Sequence, residues 1–201
     1  MLGQSTRDRI IDCSLDLFSV KGYQGVSMRD IATEVGIKAA SIYKHFSNKE
    51  AIYSAIVELF QEKTAEIFQT PTENEQQYMS ITPEAMCEMV KQTFSVYVQE
   101  PFLSKCRKLF LISGFERKEI GRLYVGSFIQ EPIGYNTRIF QMRLAQKENK
   151  GKQWDAESMA YQFYAPVLSM MQEYDYGVIT LEDALEKVER SIKQFTEVYK
   201  L

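Results

Sequence analysis

The stretch from Ser27 to Phe46 constrains the fold more than any other part of this 201-residue chain. Met28, Ile31, Ala32 and Val35 recur at i, i+3, i+4 and i+7, which puts four apolar side chains on one stripe of an α-helix. Ser27 and Asp30 make an S-x-x-D capping box in front of that stripe, and Gly36 stops it. Ile42 and Phe46 then mark the one inward face of a second short helix. Two short amphipathic helices joined by Gly36-Ile37-Lys38 predict a helix-turn-helix, in which a short first helix lets the second cross it steeply.

Helical periodicity runs through most of the chain. Ile11, Leu15 and Phe18, with Ile10 and Leu17 beside them, predict a first helix ending near Lys21-Gly22. Ser47 and Glu50 offer a further capping box for a fourth helix of about 48–68, with the apolar row Ile52, Ile56, Leu59, Phe60 and Ile67. Thr70 to Pro83 and Glu148 to Gln153 read as loops. Helices are predicted at about 84–100, 102–113, 117–130, 132–148, 155–175 and 181–199. Pro101 ends one of them, Pro132 suits the first turn of another, and Thr180 with Asp183 caps the last. No run alternates with period two for long enough to make a strand. The expected fold is all-α: a three-helix head over residues 1–50, then a helical domain over 51–201, with the fourth helix linking them.

Composition narrows the function classes. Net charge is −3, but residues 1–49 hold seven Lys/Arg against five Asp/Glu, so the head is mildly basic and the rest acidic. Cys13, Cys87 and Cys106 are far apart and form no CxxC pair, which argues against a zinc site or a disulfide framework. The longest uncharged stretch, Ser158 to Gln172, falls short of the roughly 20 apolar residues a bilayer span needs. The N-terminus lacks an apolar core of signal-peptide length, so a cytoplasmic protein with no membrane partner is expected. His45 is the single histidine, too few for a catalytic or metal-binding cluster. Phosphate-loop, nucleophile-elbow and zinc-protease motifs are missing, so no enzyme, cofactor or metal is expected.

The outward face of the second short helix carries Lys38, Ala39, Ala40, Ser41, Tyr43 and Lys44. Small residues let a helix N-terminus approach base edges, where Ala touches a thymine methyl and Ser hydrogen-bonds. Helix N-termini and Lys49 favour phosphate. Here the text reads SLDLF, then KGYQGVSMRDIA, VGI and SIYKHFSNKE. Over about residues 5–60 it resembles the tetracycline-repressor-like (TetR) family. One departure is Ser14, where the family often has Ala.

The resemblance implies a homodimeric transcriptional repressor that binds palindromic double-stranded operator DNA and is released by a small-molecule effector. It implies phosphate contacts at Ser27, Tyr43, His45 and Lys49, with Met28 beside them, and base contacts at Lys38, Ala39, Ala40, Ser41 and Lys44. For the larger domain it implies an effector pocket, expected among the segments carrying Phe94, Tyr97, Phe110, Phe128 and Phe140 because bulky residues there exceed what a tight bundle needs. The last two helices are expected to meet their symmetry mates. Leu181, Leu185, Val188, Ile192, Phe195 and Tyr199 give one stripe, and Tyr161, Ala165, Leu168 and Met171–Gln172 the other.

Overall fold

The computed structural model describes residues 5–65, 81–146 and 154–200, so most of the first predicted loop and all of the second lie outside it. Its described residues are helical, with no strand among them. In chain order the helices are α1 (Thr6–Lys21), α2 (Met28–Val35), α3 (Ala39–Ile42), α4 (Lys49–Ala65), α5 (Pro83–Gln99), α6 (Pro101–Ser113) and α7 (Lys118–Val125). A π-helical turn, Gly126–Gln130, leads into α8 (Glu131–Gln146), followed by α9 (Ala156–Asp175) and α10 (Leu181–Tyr199). No described helix is long and apolar enough to cross a membrane.

Packing divides the chain into two compact units: Met1–Glu66 with Pro101–Tyr124, and Ile67–Glu100 with Val125–Leu201. In the first, α1 lies against α2, α4 and α6. Its stripe of Ile10, Ile11, Leu15 and Phe18 is fully buried, as are Ile31, Ala32 and Val35 of α2 and Ile42 and Phe46 after them. Each such side chain contributes roughly 1.5–3 kcal/mol by leaving water. Phe60 of α4 meets Phe110 of α6 edge to face, ring centroids 5.1 Å apart. The close crossing after α6 requires glycine: a Cβ on Gly114 would stand 2.9 Å from the Cα of Gly121, where backbone faces backbone.

Three local expectations change. The fourth helix is capped by Asn48, not Ser47: its Oδ1 accepts the Ala51 N–H at 2.9 Å, and Glu50 turns away to Tyr23 and Arg117. Pro101 does more than end α5. It opens α6, and the residue before it, Glu100, is extended at φ −65° and ψ 119°. Only four residues of the third helix are α-helical. Beyond Ile42 the chain winds through tighter turns, with the N–H of His45 on the Ile42 carbonyl at 3.0 Å, before Asn48 starts α4.

The second unit packs α10 against α5 and α9, and α9 against α8. Val188, Ile192, Phe195 and Tyr199 of α10 are buried within the protomer, and Phe195 packs on Phe140 and Phe163 at 5.3 and 5.1 Å. Four of the six residues in the α10 stripe expected to face a symmetry mate are therefore core, because apolar periodicity marks a covered face without saying what covers it. The outer face of these two helices shows Tyr161 and Ala165 of the expected α9 stripe, with Gln194 and Val198 beside them.

Candidate nucleic-acid interface

Short-range hydrogen bonds fix both ends of α2. Ser27 Oγ accepts the Asp30 N–H at 3.2 Å, while Asp30 Oδ2 accepts the Ser27 N–H at 2.8 Å and its hydroxyl at 2.6 Å. These bonds hold the Asp30 carboxyl below its ordinary pKa. At the other end Gly36 is left-handed, φ 75° and ψ 34°. The N–H groups of Ile37 and Gly36 turn back to the carbonyls of Ala32 and Thr33 at 3.0 and 3.1 Å, a Schellman closure. The Arg9 guanidinium donates to the Val35 carbonyl at 2.6 Å and ties α1 to this turn.

That closure delivers α3 with one face inward and one outward. Ile42 and Phe46 are buried, and the Arg7 guanidinium lies 5.0 Å from the centre of the Phe46 ring. Lys38, Ala39, Ala40, Tyr43, Lys44 and His45 are exposed together, with Ser41 half-buried at their edge. Tyr43 is 56% exposed although it is large and aromatic. Two methyl groups flanked by two lysines, a phenol and an imidazole suit a groove edge between phosphates. Ser27 is exposed and Met28 half-buried at the start of α2. The Ser27 hydroxyl proton points to Asp30, so a phosphate there would be met by the N-terminal N–H groups of α2.

Lys49 is placed differently from the other expected contacts. Its ammonium donates to the carbonyls of Tyr23 and Val26, both at 2.7 Å, and lies 4.3 Å from the centre of the Tyr23 ring. Burial, then the nearby Arg117, lower its pKa. The Tyr23 hydroxyl donates to Glu50 at 2.8 Å, and Arg117 grips the same carboxylate with two nitrogens at 2.7 and 3.3 Å. Burial and that bond to Glu50 push the Tyr23 pKa up to about 12. The Tyr23 N–H donates to Ser113 Oγ at 2.8 Å. This cluster holds the turn that delivers α2. Sequence reading misses it because no periodicity relates positions 23, 50 and 117.

Residues 10–56, spanning this motif, match the model of the bacterial regulatory proteins of the tetR family. Residues 10–56 are thus similar to the N-terminal region of the TetR family. The biofilm operon icaADBC HTH-type negative transcriptional regulator IcaR of Staphylococcus epidermidis is 52% identical over 52 residues, which are 26% of this chain and 28% of that protein. The match to this relative thus takes in little more than a quarter of its length. Solved structures match the fold end to end at low identity. A TetR-like transcriptional regulator from Rhodococcus sp. RHA1 gives a TM-score of 0.67 at 15% identity, over 96% of this chain and 97% of that one. A transcriptional regulator from Aquifex aeolicus VF5 gives 0.66 at 21%, over 94% and 99%.

The second unit holds a half-open cavity of about 140 Å³ between α5, α8 and α9. Phe94 and Tyr97 stand in its wall. Phe128 lies behind Tyr97, ring centroids 5.7 Å apart, and Phe140 lies behind the wall residue Phe163 at 5.5 Å. Phe110 belongs to the first unit, against Phe60 and Tyr53. The wall residues that sequence reading did not single out include Thr93 and Asn136, polar positions with no apolar stripe to mark them. Among the described residues no group of three or more His, Cys, Asp or Glu is placed to hold a metal.

Proposed function

We propose that this chain is a homodimeric transcriptional repressor of the cytoplasm, which binds a palindromic operator in double-stranded DNA and leaves it when a small-molecule effector binds. The observation that carries this reading is the exposed row on and after α3: Lys38, Ala39, Ala40, Tyr43, Lys44 and His45 stand out of a head whose helical stripes, from Ile10 to Phe46, are turned inward. Residues 1–50 supply the DNA-reading head, and 51–201 regulate and dimerise. Lys38 to Ser41 and Lys44 choose sequence. Ser27, Met28, Tyr43 and His45 set the position on the backbone, and Lys49 acts from behind by holding the turn before α2.

Two heads in a symmetric dimer must sit about 34–36 Å apart to enter successive major grooves. An effector that favours another spacing weakens DNA binding by its differential affinity for the two forms, typically about 1–3 kcal/mol. The surface that supports pairing is the outer face of α9 and α10, where Tyr161 and Val198 are 51% and 55% exposed.

Footprinting on the DNA upstream of the chain's own gene tests the reading. A two-fold symmetric protected site is expected, lost in Tyr43→Ala at unchanged thermal stability. Binding without sequence preference, or retention by Tyr43→Ala equal to the parent, would refute it.

A further inference from the structure

The cavity of the second unit has walls that say what kind of molecule fits it. No Asp, Glu, Lys, Arg or His is among the twelve residues lining it. An ionised ligand would enter without a counter-charge, and burying an unpaired charge is the costliest transfer a site can demand. Five of the twelve are Phe or Tyr, whose rings favour edge-to-face contact with another ring. Met89 and Met171 adapt to the outline of what lies between them. The volume of 140 Å³ is close to the roughly 150 Å³ of an apolar protein cavity that holds one benzene.

The polar side chains in the wall fix the remaining property. The Thr93 hydroxyl donates to the Met89 carbonyl at 3.0 Å, and the Tyr164 hydroxyl to the Phe128 carbonyl at 2.9 Å. The Asn136 amide nitrogen donates to the Pro132 carbonyl at 2.8 Å. Thr93 and Asn136 thus direct a proton at backbone and keep an oxygen that can accept. Acceptor oxygens on Thr93 and Asn136, in a wall without cations, suit a ligand that brings a proton to donate and no charge.

We propose that this cavity binds a neutral, single-ring aromatic molecule bearing a hydrogen-bond donor, a phenol in the simplest case. The proposal deepens the reading of this unit as the effector-binding half of the repressor, and rests on it.

Calorimetry on the full chain without DNA tests it with three probes that share a 4-ethylphenyl core: 4-ethylphenol, its methyl ether 4-ethylanisole, and 4-ethylbenzoate. The phenol should bind roughly fivefold to tenfold tighter than the ether, the value of one neutral hydrogen bond. The benzoate anion should bind weaker by about a hundredfold or more, since its charge has no partner. In Thr93→Val and Asn136→Leu, which remove acceptors at nearly constant volume, the preference for phenol over ether should shrink while ether binding persists. Benzoate binding as tightly as the phenol, equal binding of phenol and ether, an unchanged preference in both variants, or no binding of any probe would each overturn the proposal. The readout contains no DNA. Failed footprinting with intact phenol binding removes the repressor and keeps the pocket, and the reverse removes only the ligand class.

Discussion

The ammonium of Lys49, the first residue of α4, closes the turn in front of α2 by donating to the Val26 carbonyl at 2.7 Å and to that of Tyr23 at the same distance. A lysine held this way positions the helix behind it and has little freedom to follow a phosphate. Lys49→Met should therefore destabilise the fold by about 1.5–3 kcal/mol, the range for hydrogen bonds to a charged group. It should weaken operator binding while leaving the slope of log K against log salt almost unchanged. Lys44→Ala, which removes an exposed cation beside the expected groove from each head of the dimer, should reduce that slope by about 1.8, two phosphates' worth of counterion release. Titration of both variants at several salt concentrations separates the roles, and equal slopes for the two would return Lys49 to the phosphate contacts.

Ser14 is completely buried in the middle of α1, and its Oγ has no hydrogen-bond partner among the described residues. A hydroxyl dehydrated without compensation costs about 1–3 kcal/mol, and serine is also a poorer helix former than alanine by a few tenths. Ser14→Ala should raise stability by about 1–2 kcal/mol and Tm by roughly 2–6 °C. DNA affinity should not change, since the residue is enclosed in the head. A lower Tm would mean that the hydroxyl meets a group this structure does not display.

What was legible in the sequence is what short range decides. The capping boxes Ser27–Asp30 and Thr180–Asp183 form as written, because both partners lie three residues apart on one turn. Gly36 ends α2 for an equally local reason. The box at Ser47 and Glu50 fails because Glu50 is claimed by Arg117, 67 residues away, and Asn48 can cap one position later. Periodicity placed Val188, Ile192, Phe195 and Tyr199 on one face, yet it could not tell a partner chain from α5 and α9. Aromatic content likewise grouped Phe110 with Phe94 and Tyr97, although tertiary packing sends them to different units.

Glu189 joins two elements of the second unit. Its carboxylate meets Lys193 one turn further along α10 at 2.6 Å and Lys91 of α5 at 3.0 Å. The hydrogen bond from Lys193, then that from Lys91, hold its pKa down at about 2 against an ordinary 4.5. The folded state thus favours the ionised form. Its contribution is complete above pH 4.5 and is lost as pH falls towards 2. Melting curves should show Tm falling more steeply with acid in the parent than in Glu189→Gln over that window, and the difference should shrink in high salt. Parallel pH profiles would show that the pair is fully screened.

Val198 and Tyr161 decide whether the outer face of α9 and α10 is where two protomers meet. Both are about half exposed in the single chain, and a shallow recess bordered by Gln162, Ser191, Gln194 and Val198 lies on the same face. An apolar side chain left in water on a helix gains by pairing with its symmetry copy, and a carboxylate there would face its own charge across the two-fold axis. Val198→Glu should therefore shift the protein from dimer to monomer at micromolar concentration in sedimentation equilibrium, with helicity retained because the position is solvent-exposed within the protomer. Operator binding should fall with the dimer, since one head alone holds one half-site. If Val198→Glu and Tyr161→Glu both sediment as the parent dimer, pairing uses another surface.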